Sequence, residues 1–179
     1  MSNSGAIATQ SGDFVIRGAK AADIAEITEL DRRITDLAKP DYWQDMFARY
    51  GNRANRFFLV AEGDGDGHGD STGDCGGVVG FIIGEIRAWE FGSPPTGWIF
   101  ALAVDPAVRL RKVGSRLFEA ITARLAENGA DTVRTMLARD DQLNMAFFRS
   151  QGMMGGPFIQ LEMPLQRVDK QRGEEDRDE

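Results

Sequence analysis

The residues best suited to chemistry lie between positions 104 and 118. A group of positively charged side chains surrounds Gly114, directly before a segment whose apolar residues have helical spacing. The first turn of a helix carries unpaired N–H groups and the positive end of the helix dipole, and both attract phosphate oxygens. The segment is therefore predicted to bind a phosphate or pyrophosphate group. The charged residues are Arg109, Arg111, Lys112 and Arg116.

Two elements must position this turn. The apolar run at 98–104 is typical of a strand, and Asp105 and Pro106 end it. Apolar residues then recur at three- and four-residue spacing up to Asn128, which predicts a helix that begins in the turn. These residues are Leu117, Phe118, Ile121 and Leu125.

The turn resembles the acyl-CoA-binding motif of the GCN5-related N-acetyltransferases, which reads Arg or Gln, two residues, Gly, one residue, then Gly or Ala. Here the motif runs from Arg109 to Gly114, with Lys112 in the place of the family's first glycine. An ordinary strand-to-helix loop with solvated basic side chains is the alternative, because short motifs also match by chance.

A second segment, 141–153, is similar to the family's next short helix, which has Asn, Ala, Tyr and Gly-Phe at fixed spacing. The spacing is kept here, whereas the residue types differ. Both motifs occur in the order that the family has. Aligned on Gly152, the Asn, Ala, Tyr and Phe positions are occupied by Asp141, Asn144, Phe148 and Met153.

The resemblance implies a single α/β domain at 13–166, with a mixed, mostly antiparallel sheet flanked by helices. Its fourth strand would bulge and splay from the fifth. Residues 1–12 and the acidic tail at 167–179 are predicted to be disordered, and 62–77 to form a flexible Gly/Asp loop. The element order is β-α-α-β-β-β-α-β-α-β, with a first helix that includes Leu37. Strands are predicted at 14–17, 56–61, 77–89, 98–104, 131–138 and 158–163.

The co-substrate that the resemblance implies is acetyl-CoA. Its pantetheine would lie between the splayed strands like an added strand, bound by the backbone of Leu102, Ala103 and Val104. Its pyrophosphate would bind the basic turn. The other cofactor-binding candidates are Arg109, Leu110, Arg111, Lys112, Val113, Gly114, Ser115, Asn144 and Phe148.

The implied activity is acetyl transfer to a primary amine of a small molecule or peptide, by direct attack in a ternary complex. The family's tyrosine, often the acid that protonates the leaving thiolate, is replaced by Phe148. A thiol has a pKa of about 8.5, so a CoA thiolate can leave without a strong acid. Glu85 in the third strand is the candidate base, and a solvent-facing strand carboxylate is the alternative for it.

The acceptor pocket has several aromatic candidates. Tyr42, Trp43, Trp89 and the turn at 93–95 could line it, and each could instead be a packing residue. Either Asp140 or Asp141 is expected to cap the following helix.

Two other functional classes stay open. A non-catalytic acyl-CoA-binding module would account for both Lys112 and Phe148. A phosphate-anchored nucleotide-binding domain is disfavoured, because neither a Gly-Lys-Ser/Thr ending nor a Gly-x-Gly-x-x-Gly pattern occurs.

Charge and composition narrow the class of protein further. The formal net charge is -7, but acidic residues are concentrated at 62–74 and from 169 onward. The rest of the chain is close to neutral, so no broad basic face for nucleic acid is expected. A calcium site in the Gly/Asp loop, or any other metal site, is not expected, because Cys75 occupies the twelfth loop position that should be Glu.

The expected location is the cytoplasm, without membrane contact. No apolar run has membrane-spanning length, and no basic-then-apolar signal pattern begins the chain. Cys75 is the single cysteine, which suits a reducing compartment. A homodimer is compatible with the sequence.

Overall fold

The sheet is built from strands that follow one another both in sequence and in space. The computed structural model describes residues 14–51, 53–63 and 77–165. Pairs are antiparallel from the first to the fourth strand and parallel between the fourth and fifth, which confirms the predicted mixed sheet. The strands are β1 (Phe14–Gly18), β2 (Arg56–Gly63), β3 (Gly77–Arg87), β4 (Thr96–Val104) and β5 (Val133–Arg134).

Four helices accompany the sheet in the described ranges. The first helix stops at Thr35, two residues before the predicted Leu37, because Asp36 adopts a left-handed conformation with φ of 62°. The second begins with Pro40, whose missing N–H costs nothing in a first helical turn. The helices are α1 (Ile24–Thr35), α2 (Pro40–Tyr50), α3 (Val113–Glu127) and α4 (Gln142–Ser150).

The two faces of the sheet pack against different helices. Side chains alternate along a strand, so Ile82 points to one face while Phe81 and Ile83 point to the other. Ile82 packs with α3 residues such as Leu117, and Phe81 packs with α1 and α2 residues such as Trp43. The site described below therefore has α1 and α2 on one side of the sheet and α3 on the other.

Two predicted strands differ in the structure. The fifth is only two residues long instead of spanning 131–138, because the chain diverges from β4 after Arg134. The predicted final strand at 158–163 is wrong, since this segment forms no strand and Phe158, Ile159 and Leu161 are exposed. Alternating apolar residues indicate that a segment can fit a half-buried strand, but they do not supply a partner.

Some predictions fall outside the described residues. These are the amino-terminal segment, the acidic tail and most of the Gly/Asp loop, with His68 and Cys75. Within the ranges that are described, no helix has the length and apolar character needed to cross a membrane.

Close packing of α3 on the sheet leads to a first prediction. A Cβ at Gly84 would lie 2.7 Å from the carbonyl oxygen of Trp98 and 3.0 Å from Cδ1 of Ile121. Gly84→Ala should therefore lower the free energy of unfolding by about 1–3 kcal/mol, as overpacking does. Gly18→Ala is the matched control, because a Cβ at Gly18 meets nothing within 4 Å. Urea denaturation measures both variants, and equal stability would contradict the close contact.

Candidate active site

A cavity opens where β4 and β5 separate. The two strands pair only at Gly97 with Val133 and at Trp98 with Arg134. Beyond these pairs, residues 135–137 and α4 lie across a cavity of about 470 Å³ from the second half of β4. The predicted splay between the fourth and fifth strands is therefore confirmed. The lining residues are Asp31, Ile34, Thr35, Lys39, Tyr42, Trp43, Phe81, Ile99, Phe100, Ala101, Leu102, Ala103, Thr135, Met136, Leu137, Asn144 and Phe148.

A bulge in β4 lies at the centre of this cavity. Ile83 pairs with Ala101, but the next residue, Gly84, pairs with Ile99, so Phe100 is an additional residue on β4. A bulge breaks the regular ladder and redirects the backbone groups of the bulged strand. Phe100 also lines the cavity, and its ring lies 4.9 Å from the ring of Tyr50. The predicted bulge of the fourth strand is thus present.

The end of β4 leads into the basic turn. The Asp105 carboxylate accepts a hydrogen bond of 2.9 Å from the N–H of Ala107 and starts a short 3-10 helix, Pro106–Arg111. Lys112 then adopts a left-handed conformation with φ of 61°, and its carbonyl accepts the hydrogen bond from Arg116 N at 3.1 Å. The backbones of Arg109 and Leu110 lie in the 3-10 helix.

The left-handed backbone at Lys112 explains why the family has glycine at this position. A residue with a Cβ pays about 1–2 kcal/mol to adopt this conformation, whereas glycine adopts it readily. Here Lys112 keeps the backbone shape despite its side chain, which is exposed together with that of Arg111. The turn therefore has a backbone shape that favours glycine, with lysine in its place.

The start of α3 is built as predicted, but its side chains serve packing. Val113 is fully buried, so only its backbone can face a ligand. A Cβ at Gly114 would lie 3.1 Å from Cε2 of Phe147, which shows that the glycine makes room for α4. Ser115 Oγ accepts a hydrogen bond of 3.1 Å from Gln151 Nε2, which also joins α3 to the end of α4.

Arg116 lies away from the basic turn, contrary to its grouping in the sequence with three other cations. Its guanidinium carbon is 4.5 Å from the centre of the Phe14 ring on β1, at the opposite edge of the sheet. Proximity in sequence therefore did not place this charge in the turn.

The wall formed by α4 contains two predicted residues. The Asp141 carboxylate accepts hydrogen bonds from Asn144 N at 3.1 Å and from Asn144 Nδ2 at 2.7 Å, which caps α4 and orients Asn144 at the cavity. These hydrogen bonds, the side-chain one first, hold the pKa of Asp141 below its ordinary value. Phe148 is buried at the cavity, with the rings of Phe118 and Phe147 beside it.

The opposite wall contains a buried carboxylate that the sequence reasoning missed. Asp31 of α1 is 6% exposed, and its Oδ2 accepts a hydrogen bond of 2.9 Å from Trp43 Nε1. The Lys39 ammonium lies 2.9 Å from the same oxygen. The helical spacing could have indicated that Asp31 is buried, because it follows Ile27 by four residues and so shares the buried face of α1.

Only some of the aromatic residues predicted for the acceptor pocket line the cavity. Tyr42 and Trp43 line the cavity. Trp89 is 74% exposed, and neither it nor the turn at 93–95 belongs to the lining.

Glu85 lies on the α1–α2 face of the sheet but outside the cavity lining. It is buried, its carboxylate is 2.8 Å from Arg87 Nε and 3.5 Å from Arg56 Nε, and it is therefore not the solvent-facing carboxylate of the alternative interpretation. Burial, together with the nearby Glu85 carboxylate, raises the pKa of Tyr50 above its ordinary value. Tyr50 therefore remains a neutral phenol at neutral pH.

A sheet that opens between its fourth and fifth strands, beside the start of a basic turn and helix, is the architecture that the acetyltransferase resemblance implies. The chain belongs to the acetyltransferase (GNAT) family, whose model matches residues 24–153. No curated protein sequence matches the chain.

Solved structures share this fold at low sequence identity. The aminoglycoside N-acetyltransferase AAC(6')-Iy in complex with CoA has a TM-score of 0.70 and 15% identity, over 86% of this chain and 97% of that one. AAC(6')-Ih from Acinetobacter baumannii has a TM-score of 0.67 and 14% identity, over 86% and 99%. A protein described as a transcriptional regulator from Bacillus halodurans C-125 has a TM-score of 0.64 and 17% identity, over 85% and 99%.

The strained turn gives a second prediction. Lys112→Gly should raise the free energy of unfolding by about 1 kcal/mol, because glycine removes the cost of the left-handed backbone. Lys112→Asn should give a smaller increase, since asparagine tolerates this conformation better than lysine does. Thermal and urea denaturation measure both. A loss of stability in Lys112→Gly would show that the lysine side chain supports the fold more than its backbone strains it.

Proposed function

We propose that this protein is an N-acetyltransferase that moves an acetyl group from acetyl-CoA to a primary amine of a small molecule or peptide. The observation that carries the proposal is the single cavity between β4 and α4, which continues to α1 and α2. It has room for a thioester on one side and for an amine on the other. The two reactants would meet at the bulge around Phe100, so that the amine attacks directly in a ternary complex.

The open edge of β4 supports the cofactor half of the proposal. Beyond Trp98, no described strand pairs with this edge, so the backbone N–H and C=O groups of Leu102, Ala103 and Val104 can bind pantetheine as an added strand. The first turn of α3 starts nine residues after the strand ends. Its N–H groups at Val113, Gly114 and Ser115, with the 3-10 helix before it, would bind the pyrophosphate.

The leaving group of the reaction needs no acid from the protein. The amine nitrogen forms a bond to the thioester carbonyl carbon, and the carbon–sulfur bond then breaks to release CoA thiolate. Backbone N–H groups at the bulge would stabilise the oxyanion that forms between these steps. Phe148 has no hydroxyl to protonate the sulfur, and the low basicity of a thiolate allows water to do so.

Glu85 is assigned the proton-accepting role in this proposal. It shares a sheet face with Phe81, which lines the cavity, and it lies next to Tyr50, which contacts Phe100. Because Arg56 and Arg87 hold the carboxylate outside the lining, it would accept the ammonium proton through an intervening water.

A non-catalytic acyl-CoA-binding module is the second candidate. The hydrophobic Phe148 at the tyrosine position favours it, since the cavity lacks that acid. The fold that this chain shares with the Bacillus halodurans protein is compatible with it. Release of free CoA in the presence of amines separates the two functions, because a binding module would bind acetyl-CoA without turnover.

The cofactor site gives a third prediction. Acetyl-CoA should raise the melting temperature and bind measurably in calorimetry, since a ligand that binds only the folded state stabilises it. Lys112→Gly should weaken binding about fivefold at low salt, and added salt should shrink this difference, as for a partly exposed charge contact. Lys112→Asn, without charge but with a side chain, should weaken binding equally.

Two outcomes would contradict this prediction. Tighter binding of acetyl-CoA by Lys112→Gly would mean that the lysine crowds the turn. Binding of ATP without binding of acetyl-CoA would contradict the cofactor assignment.

Glu85 gives a fourth prediction. Glu85→Gln should lower kcat about a hundredfold and leave acetyl-CoA affinity nearly unchanged, because a missing base affects only proton transfer. Arg87→Gln is the matched control, since it removes the shorter of the two ion pairs of Glu85 but keeps the carboxylate. The pH dependence of kcat/KM is the measurement. An unaltered pH profile in Glu85→Gln, or equal losses in both variants, would assign Glu85 a structural role.

A further inference from the structure

The charges in the cavity neutralise one another. Asp31 and Lys39 are the charged side chains among the described lining residues, and they form an ion pair of 2.9 Å. The Trp43 N–H is a second partner of the same carboxylate oxygen. A substrate ammonium that approached Asp31 would therefore meet the Lys39 ammonium, which already occupies the carboxylate.

The remaining acceptor-side lining residues are apolar or aromatic except for Thr35. Ile34 and Phe100 line the cavity while they are 38% and 39% exposed, and Tyr42 is 47% exposed. Met136 on the opposite wall is 62% exposed. Large apolar groups of this kind release water when an apolar ligand covers them, which stabilises the complex.

Three aromatic rings in or near the cavity already face cations of the protein. The Lys39 ammonium is 5.8 Å from the ring of Tyr42, and the Arg56 guanidinium is 5.4 Å from the ring of Tyr50. Beyond them, Arg87 lies 5.1 Å from the ring of Trp98. A second ammonium of a substrate would be repelled by these groups or would be desolvated against apolar walls without compensation.

We infer that the acceptor is a monoamine with an apolar or aromatic body, and that polycationic amines are poor acceptors. This inference rests on the proposed function and narrows its substrate class. The single amine would enter as the neutral nucleophile at the bulge, and its apolar body would contact Ile34, Tyr42 and Phe100. The chain would then differ in acceptor from proteins of its fold that are aminoglycoside acetyltransferases.

The test compares amines that differ only in their second charge. Hexylamine and 1,6-diaminohexane have the same carbon chain with one and two ammonium groups, and 2-phenylethylamine and kanamycin extend the two classes. Calorimetry with the CoA-bound protein measures binding independently of catalysis, and CoA release measures turnover. We expect hexylamine to bind at least tenfold more tightly than the diamine, and phenylethylamine to exceed kanamycin in kcat/KM.

The two readouts separate the inference from the function. Tighter monoamine binding without CoA release would support the inference and contradict the transferase. Equal or tighter binding of the diamine or kanamycin, or no amine binding at all, would overturn the inference whether or not turnover occurs.

Variants of the ion pair test the physical cause. Lys39→Met leaves the Asp31 charge uncompensated in the cavity and should shift the binding ratio about tenfold toward the diamine, whereas Lys39→Arg should keep the wild-type ratio. If Lys39→Met fails to fold, the double variant Asp31→Asn with Lys39→Met restores neutrality and should keep the monoamine preference. An unchanged ratio in a folded Lys39→Met protein, or loss of the preference in the double variant, would overturn the charge argument.

Discussion

The constraint on which the site depends is the short pairing between β4 and β5. After two paired residues on each strand the ladder ends. β4 then continues with an open edge, while the segment that follows β5 leads to α4. Unpaired backbone groups inside a protein are costly unless they find a partner, so an open edge beside a cavity is poised to pair with an extended ligand. The same divergence creates the cavity volume and fixes the distance between β4 and α4. A longer β5 would satisfy the edge and abolish the site.

Contacts that hold the cleft open come from both ends of α4. Asp141 caps its start through Asn144, and Phe147 near its end packs against the bare Cα of Gly114. Gly114 therefore joins the cavity wall to the helix that begins at the basic turn, so this motif glycine has a packing role in this chain. Because α3 also packs against β3 and β4, the core of the sheet supports both the turn and the wall.

Much of the fold could be predicted because its signals are local. Runs of apolar residues placed β2, β3 and β4, apolar spacing placed α3, and Pro40 marked the break between the first two helices. The failed strand at 158–163 had alternating apolar residues but no neighbouring strand, and strand pairing is not encoded in a segment's own sequence. At the site, the turn was predicted from spacing, whereas the direction of Arg116, the ion pairs of Glu85 and the burial of Asp31 depend on contacts between distant elements. Helix periodicity does not identify the partner that a side chain meets on another element.

The distribution of charge connects the cofactor and acceptor sides of the cleft. Near the basic turn, Arg111 and Lys112 are exposed, where cations attract a phosphate-bearing ligand from solution. Within the cavity, the charges of Asp31 and Lys39 cancel. Outside it, the Glu85 carboxylate forms ion pairs with both Arg56 and Arg87. A neutral amine is the form that attacks a thioester, and a cavity without net negative charge does not stabilise the ammonium form against it. On the proposed function, the same ion pair would favour the neutral, reactive form of a single amine at the bulge.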